Sequence, residues 1–249
     1  MQKFSELMRG NELIVAPVAL NPIMARLAED AGFKAIYLSG GSLGWLKCVT
    51  EANLTLPELA QVALDMRAVC QLPIVLDAGG GWGDPVHVHR TIALAEAIAA
   101  RTDPDFVIIA RTNARRLHDL NEALRRAEAF HKAGADMLFV HTRNAEEMRI
   151  VGECLPPPLM TFAPPDGFCG FPFSQSDLAG LGYRLAASSG TAFAAMVKAV
   201  RQSYECLAQN KMDPFLGSGG ADQEMKAAQT ASGLERLLEI ERRTMKGQG

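Results

Sequence analysis

Three polar side chains of this sequence stand directly after runs of aliphatic or aromatic residues, where their chemistry could be used. They are Asp77, Arg111 and His141. A carboxylate such as Asp77, at the end of an apolar segment, suits a hard cation such as Mg2+, which takes one or two carboxylates and keeps several waters. Its alternative role is to cap the N–H groups of the following loop.

Arg111 carries a positive charge out of an apolar segment and therefore needs an anionic partner. The partner is either a neighbouring carboxylate, which would make Arg111 structural, or the carboxylate of a substrate. His141 has two similar alternatives. It faces the same pocket, or it is a hydrogen-bonded structural histidine.

A glycine-rich segment, residues 39–44 with the sequence SGGSLG, opens after another apolar run. Ser39, Gly40 and Gly41 offer a hydroxyl and unhindered backbone N–H groups, which an anionic substrate could use. The alternative is that the two glycines only form a turn. The sequence leaves both interpretations open.

Short apolar runs alternate with amphipathic helical patterns from residue 13 almost to the end, which indicates parallel strands joined by crossover helices. The predicted strands are Leu13–Val18, Ala35–Leu38, Pro73–Asp77, Phe106–Ala110, Met137–Val140, Leu159–Phe162 and Tyr183–Ala187. That is one strand fewer than a (β/α)8 TIM-type barrel contains. Because no nucleotide-binding glycine motif follows the first strand, we favour the barrel over an open sheet. Its active site would lie at the carboxyl ends of the strands.

Helical patterns fill the intervals between these strands. The predicted helices are Pro22–Ala31 with Asn21 as its cap, Pro57–Val69, Asp84–Arg101, Asp119–Lys132, Ala145–Gly152, Ser176–Ala179, Thr191–Asn210 and Ala221–Met245. We expect a barrel domain over residues 1–210 and a C-terminal linker and helix over residues 211–249. The last helix carries an apolar stripe, which packs either on a partner subunit or on its own barrel.

Composition excludes several classes of protein. The 249 residues are 48% hydrophobic and 21% charged, and their 25 Lys+Arg against 28 Asp+Glu leave a net charge of -3, so nucleic acid is not an expected partner. No apolar run approaches the roughly 18 residues that cross a bilayer. The five cysteines are an odd number without a C-x-x-C pair. We therefore expect a soluble cytoplasmic protein with reduced thiols and no membrane partner.

Three segments carry a family resemblance: Pro17–Asp77, Asp105–Ala114 and Ala127–Phe139. They resemble the isocitrate lyase/phosphoenolpyruvate mutase superfamily, and most of all its short, methylisocitrate lyase-like members. The motifs Tyr37-Leu38-Ser39-Gly40-Gly41 and Ile109-Ala110-Arg111-Thr112 are fairly specific in combination. The similarity extends over most of the chain to about residue 210.

The resemblance implies an activity and a set of site residues. It implies Mg2+-dependent C–C bond cleavage of a small 2-hydroxy or 2-oxo dicarboxylate through an enolate, at the carboxyl end of the barrel. Asp77 would be the Mg2+ ligand, and Tyr37, Ser39, Gly40 and Gly41 would hold a substrate carboxylate. Arg111 would clamp the same substrate and, with Tyr37, act in catalysis. The resemblance further implies a homotetramer, built as a dimer of dimers whose subunits exchange their last helices.

The chain departs from the family pattern at several acidic positions. Gly79 stands where the family has a second carboxylate, and His141 stands where it has a glutamate. Leu159 and Phe162 replace the asparagine and glutamate of a family N-x-T-E segment. Glu51 is a possible substitute for an aspartate that the family carries after its second strand. These changes favour an alternative, a non-catalytic oligomeric homologue that keeps the barrel and an anion pocket, whereas the intact Tyr37–Gly41 and Arg111 segments favour an enzyme.

The largest departure lies between Glu96 and Arg101, where the family has a fourth strand and a lid with catalytic residues. We predict a break between about Ala95 and Ala99, which residues missing from the sequence would leave. A continuous helix there, with the neighbouring strands closed against each other, would instead indicate a true deletion. A further alternative is a different barrel enzyme that holds phosphate at Ser188-Ser189-Gly190.

Overall fold

The computed structural model of the protein is built on parallel strands, whose carboxyl ends all lie on the same side of the sheet. The structure describes residues 3–78, 103 and 105–245. The described strands are β1 (Ile14–Pro17), β2 (Ile36–Leu38), β3 (Ile74–Leu76), β4 (Ile109–Thr112), β5 (Met137–Val140), β6 (Leu159–Phe162) and β7 (Tyr183–Ser188). Five of them form one parallel sheet in the order β1-β7-β6-β5-β4, and β2 pairs with β3.

A bridge between Val18 and Tyr37 joins the two groups of strands. The strand order is therefore β3-β2-β1-β7-β6-β5-β4, which is the order of a (β/α) barrel. The predicted fold class is confirmed. Within the described residues, β3 and β4 stand at the two ends of this order. The predicted helix Asp84–Arg101 and the expected break between Ala95 and Ala99 lie outside the described residues.

Several of the helices begin at a residue whose side chain caps the first turn. The helices are α1 (Phe4–Arg9), α2 (Pro22–Asp30), α3 (Gly40–Leu46), α4 (Leu56–Val69), α5 (Leu120–Lys132), α6 (Ala145–Cys154), α7 (Gln175–Gly180), α8 (Thr191–Ala208), α9 (Gly220–Ser232) and α10 (Leu234–Met245). The side chain of Asn21 accepts a hydrogen bond from Met24 N at 2.9 Å, with Pro22 as the first helical residue. Asp119 and Asn144 cap their helices in the same way. Each cap satisfies an N–H group that the first helical turn leaves unpaired.

The structure corrects two boundaries near the site. The glycine-rich segment 39–44 is not a turn, because it forms the start of helix α3 with Ser39 as its cap. Strand β4 begins at Ile109 rather than Phe106, since Ile108 N donates to the side chain of Asp136 at 2.8 Å instead of continuing the strand. Arg111 consequently lies within the strand and not after it.

The predicted last helix is two helices, α9 and α10. Gly233 separates them in the left-handed conformation with φ +70°. A glycine adopts this conformation without steric cost and ends a helix there, a signal that the apolar periodicity does not contain.

The interior of the barrel is closed by side chains from several strands. This cluster includes Ile14, Ala16, Tyr37, Val75, Met137, Phe139, Met160, Leu185 and Ala187. Filling by inward-pointing side chains is the usual packing of such barrels and leaves the chemistry to the carboxyl edge. Two further clusters pack between the strands and the surrounding helices.

The C-terminal helices are only partly covered. Helix α9 packs against α2, where Arg26 Nε donates to Ala231 O at 3.1 Å. Helix α8 has no buried residue, and Leu237 of α10 is exposed. Among the described residues, no helix combines the length and apolar character needed to cross a bilayer.

Candidate functional site

Strands β2 and β4 and the end of β3 bring Tyr37, Arg111 and Asp77 into direct contact. Tyr37 Oη donates a hydrogen bond to Asp77 Oδ2 at 2.6 Å, and Arg111 Nη1 donates to the same oxygen at 3.0 Å. The side chains of Asp77 and Arg111 are 14% and 24% exposed, so a ligand can reach them. The structure thus gives Arg111 a carboxylate partner of its own. The catalytic, metal-binding and substrate-binding roles of the three residues remain predictions.

Tyr37 acts as a hydrogen-bond donor in this arrangement. Burial raises the pKa of its hydroxyl far above the usual value, and the neighbouring negative charge of Asp77 raises that pKa further. The phenol therefore keeps its proton at neutral pH and holds the Asp77 carboxylate in one orientation.

Arg111 is fixed by contacts that the sequence analysis did not identify. Arg111 Nε donates to Asn113 Oδ1 at 3.1 Å. Its guanidinium carbon lies 5.0 Å from the centre of the Phe139 ring and 5.3 Å from that of Phe162. Aromatic faces attract a guanidinium and limit its hydration. Phe139 and Phe162 occupy the neighbouring strands β5 and β6, but the pattern of apolar residues alone could not separate them from ordinary core residues.

The glycine-rich start of α3 lies beside the same edge. Ser39 Oγ accepts a hydrogen bond from Ser42 N at 3.2 Å, so its hydroxyl serves as a helix cap. A Cβ added to Gly40 would come within 2.7 Å of Glu51 Oε1. The absence of a side chain at Gly40 therefore lets the Glu51 carboxylate approach the helix. The predicted substrate contacts of Ser39, Gly40 and Gly41 remain predictions.

Glu51 is a second carboxylate near Asp77. Burial raises its pKa most, the charge of Asp77 raises it further, and Arg111 and Arg116 oppose both effects. Glu51 is thus close enough to sense the charges of the predicted site. No group of three or more His, Cys, Asp or Glu side chains suitable for a metal occurs in the part of the chain that the structure describes.

His141 follows β5 and faces a cavity of about 150 Å3 that Arg143, Thr161 and Phe162 also line. Its Nδ1 is buried and makes no hydrogen bond with any described residue. Burial lowers the pKa of His141 most, and the positive charge of Arg116 lowers it further. Of the two alternatives, the structure favours the pocket-facing one.

Glu147 joins two loops of the carboxyl edge, a role that the sequence analysis missed. Its Oε1 accepts hydrogen bonds from Arg115 Nε at 3.0 Å and Arg115 Nη2 at 2.8 Å. Its Oε2 accepts from Arg143 N at 2.9 Å. The loop after β4 is therefore tied to the loop after β5. An acidic residue in the first turn of a helix usually stabilises the helix dipole or caps an N–H group. The sequence therefore gives no sign that Glu147 connects two loops.

The family model described as phosphoenolpyruvate phosphomutase matches residues 4–101 and 92–208. An oxaloacetate decarboxylase of Pseudomonas fluorescens is 31% identical over 251 residues, covering 84% of this chain and 83% of the relative. A probable 2-methylisocitrate lyase 1 of Corynebacterium glutamicum is 29% identical and covers 64% of this chain and 65% of the relative.

The fold is also that of a solved structure, phosphonopyruvate hydrolase in complex with oxalate and Mg2+. The two chains superpose with a TM-score of 0.81 and 26% sequence identity, covering 97% of each. The relatives are named as enzymes, and none favours a non-catalytic homologue. The chain belongs to the phosphoenolpyruvate phosphomutase family, within the isocitrate lyase/phosphoenolpyruvate mutase superfamily that its sequence resembles.

Proposed function

We propose that this protein is a Mg2+-dependent lyase that cleaves a C–C bond of a small 2-oxo or 2-hydroxy dicarboxylate and leaves an enolate. The observation that carries the proposal is the meeting of Tyr37, Asp77 and Arg111 at the carboxyl ends of β2, β3 and β4. The names of the relatives support the substrate class, since one is an oxaloacetate decarboxylase and another a probable 2-methylisocitrate lyase.

The donor set fits Mg2+. This ion typically binds through one or two carboxylates and completes its coordination with water and substrate oxygens. Asp77 and Glu51 supply two carboxylates whose mutual repulsion contributes to the raised pKa of Glu51. Asp77 would hold the ion, and Glu51 would face it or its waters. When bound, Mg2+ supplies Lewis-acid stabilisation of the negative charge that develops on the substrate.

Arg111, Tyr37 and two aromatic rings would bind and orient the substrate. Arg111 donates hydrogen bonds to the oxygen atom that becomes negative, from a position fixed by Asn113 and two aromatic rings. Tyr37 keeps Asp77 oriented and sits beside Ser39, Gly40 and Gly41, which receive the substrate carboxylate. The rings of Phe139 and Phe162 exclude water from one side of the guanidinium, which strengthens its interaction with an anion.

The experiment is a screen of the purified protein with and without Mg2+ over oxaloacetate, methylisocitrate, dimethylmalate and phosphonopyruvate. We expect turnover of oxaloacetate, methylisocitrate or dimethylmalate, dependent on Mg2+ and lost on Arg111→Ala; turnover of phosphonopyruvate alone would indicate C–P cleavage and contradict the proposal. An Arg125→Ala variant, on the exposed face of α5, is the matched control and should keep full activity. Absence of turnover with all four acids would contradict the proposal.

We also propose a homo-oligomer, a tetramer built as a dimer of helix-exchanged dimers. Exposed apolar side chains support it, because Trp45, Tyr204, Leu207 and Phe215 are 65%, 69%, 78% and 62% exposed. Apolar surface of this extent is typical of an interface between subunits. Sedimentation equilibrium should give a mass of about four chains, and a monomer at micromolar concentration would contradict it.

A cytoplasmic location completes the proposal. All five cysteines are free thiols, and free thiols persist in reducing compartments. Cell fractionation followed by detection of the protein tests this location, and recovery from an oxidising compartment would contradict it.

A further inference from the structure

Arg116 lies at the edge that carries Arg111 and has no carboxylate partner among the residues that the structure describes. It ends the short 3-10 turn Ala114–Arg116, five residues after Arg111. Within the described part of the chain, its guanidinium makes no hydrogen bond and no ion pair, whereas Arg111 pairs with Asp77 and Arg115 pairs with Glu147. The exposed Arg116 side chain is thus left available to an anion from outside the chain.

The backbone of Arg116 is held from two sides. Arg116 N donates to Asn113 O at 2.9 Å, and Arg116 O accepts a hydrogen bond from Arg143 Nη2 at 3.3 Å. The preceding residue, Arg115, is fixed by the two hydrogen bonds to Glu147. Because the turn is already fixed, ligand binding has to order only the side chain of Arg116 and not its backbone.

The charge of Arg116 reaches the two groups that flank Arg111. After burial, it is the largest influence that lowers the pKa of His141, and it opposes the rise in the pKa of Glu51. The geometry agrees, because Arg143, which donates to Arg116 O at 3.3 Å, lines the same cavity as His141. The buried Nδ1 of His141 also lacks a hydrogen-bond partner among the described residues. His141 thus lines the cavity beside Arg111, and the backbone of Arg116 is bonded to another residue that lines it.

We propose that Arg116 binds the second anionic group of the substrate, the one that lies away from the 2-oxo or 2-hydroxy acid end. The inference rests on the proposed function, because it assigns a specificity role within the same site. A guanidinium offers paired N–H donors that fit the oxygens of a carboxylate or of a phosphonate equally well. Arg116 then discriminates doubly anionic substrates from singly anionic ones, while Arg111 acts at the reacting end.

The test compares ligands with and without the second group on Arg116→Met, which keeps the apolar stem and removes the charge. Oxalate with Mg2+ mimics the enolate end alone, whereas oxaloacetate adds a distal carboxylate and phosphonopyruvate adds a distal phosphonate. We expect the KM or inhibition constant of at least one doubly anionic ligand to rise about tenfold or more, the usual effect of losing a hydrogen bond to a charged group. The dissociation constant of oxalate should stay within about twofold of wild type.

Two variants complete the design. Arg116→Lys keeps the charge without the paired donors and should restore part of the affinity. Arg125→Met removes an exposed arginine of α5 and should change none of the constants. A loss confined to oxaloacetate identifies the distal group as a carboxylate, and a loss confined to phosphonopyruvate identifies a phosphonate.

The outcomes separate this inference from the proposed function. If wild type binds oxalate but Arg116→Met leaves both doubly anionic ligands unaffected, the role of Arg116 is wrong and the proposed function stands. An equal loss for oxalate and for the larger ligands also overturns the specificity role. If wild type neither binds oxalate with Mg2+ nor turns over any of the acids, the proposed function fails and this inference fails with it.

Discussion

Tyr37 and Arg111 stand on strands β2 and β4 and donate hydrogen bonds to one atom, Asp77 Oδ2. The shared acceptor couples a neutral donor and a cation to one carboxylate, and two donors fix its orientation better than one. Because Asp77 is the predicted metal ligand and Arg111 the predicted substrate clamp, the geometry of each depends on the other.

Tyr37→Phe tests this coupling. The variant removes the hydrogen bond to Asp77 and keeps the ring, so we expect kcat/KM to fall about 10- to 100-fold, the usual cost of losing a hydrogen bond to a charged group. The melting temperature should change little. Tyr183→Phe is the matched control, because Tyr183 Oη donates to Met148 O at 3.0 Å in the core between strands and helices. That variant should lose stability and keep kcat/KM; equal losses of activity in both would contradict the coupling.

Glu147→Ala tests the tie between the loops after β4 and β5. Removing one partner of a mostly buried ion pair should lower the free energy of unfolding by about 3 kcal/mol. It should also raise KM, because both loops border the site. Glu122→Ala breaks an exposed pair with Arg125 and should cost clearly less stability than Glu147→Ala. Urea unfolding of both variants measures the two losses in the free energy of unfolding. Equal losses would show that the contact of Glu147 with the two loops does not stabilise the fold.

His141 predicts a pH dependence of stability. Its pKa in the folded protein lies below 6.5, chiefly because the ring is buried. As pH falls through 6.5, the unfolded chain binds a proton that the folded protein does not yet bind, so stability is full above that pH and declines below it. The free energy of unfolding of wild type should fall more than that of His141→Gln between about pH 7.5 and about pH 5.5. Parallel curves for the two proteins would contradict the assignment.

Gly44 and Gly40 should respond differently to alanine. A Cβ at Gly44 would lie 2.9 Å from Val49 O, a backbone atom, so Gly44→Ala should destabilise the fold by about 1 to 3 kcal/mol. The close atom at Gly40 is the end of the Glu51 side chain, which can move, so Gly40→Ala should cost less stability and reduce activity instead. Gly180→Ala meets no atom within 4 Å and serves as the control. Thermal unfolding and kcat/KM of the three variants measure both effects, and similar stability losses at Gly40 and Gly44 would contradict this distinction.

The sequence predicts the positions of the strands well because buried parallel strands are short, aliphatic and regularly spaced along the chain. Met137–Val140 and Leu159–Phe162 agree with β5 and β6 at both ends. Helix α3 was less predictable, since glycines usually argue against a helix. Ser39 caps this helix, and the glycine at position 40 leaves room for the Glu51 side chain, a contact that the sequence pattern does not contain. The break at Gly233 was similarly hidden within a continuous apolar stripe.

The candidate site shows a similar division. The sequence predicts that Asp77 and Arg111 lie at the same edge of the barrel. Asp77 follows β3 and Arg111 lies in β4, and parallel strands end on the same side. Their shared contact with Tyr37 Oη could not be read from spacing, because it depends on the order β3-β2 and on side-chain direction. Glu147 was missed for a related reason, since a tie between two loops leaves no periodic pattern.

Calorimetric titration of oxalate into the protein with Mg2+ tests the central claim most directly. Wild type should bind oxalate only when Mg2+ is present, and both Asp77→Ala and Arg111→Ala should lose that binding while circular dichroism shows an intact fold. If Asp77→Ala keeps metal-dependent oxalate binding, the assignment of Asp77 and Arg111 to one Mg2+-dependent site is wrong.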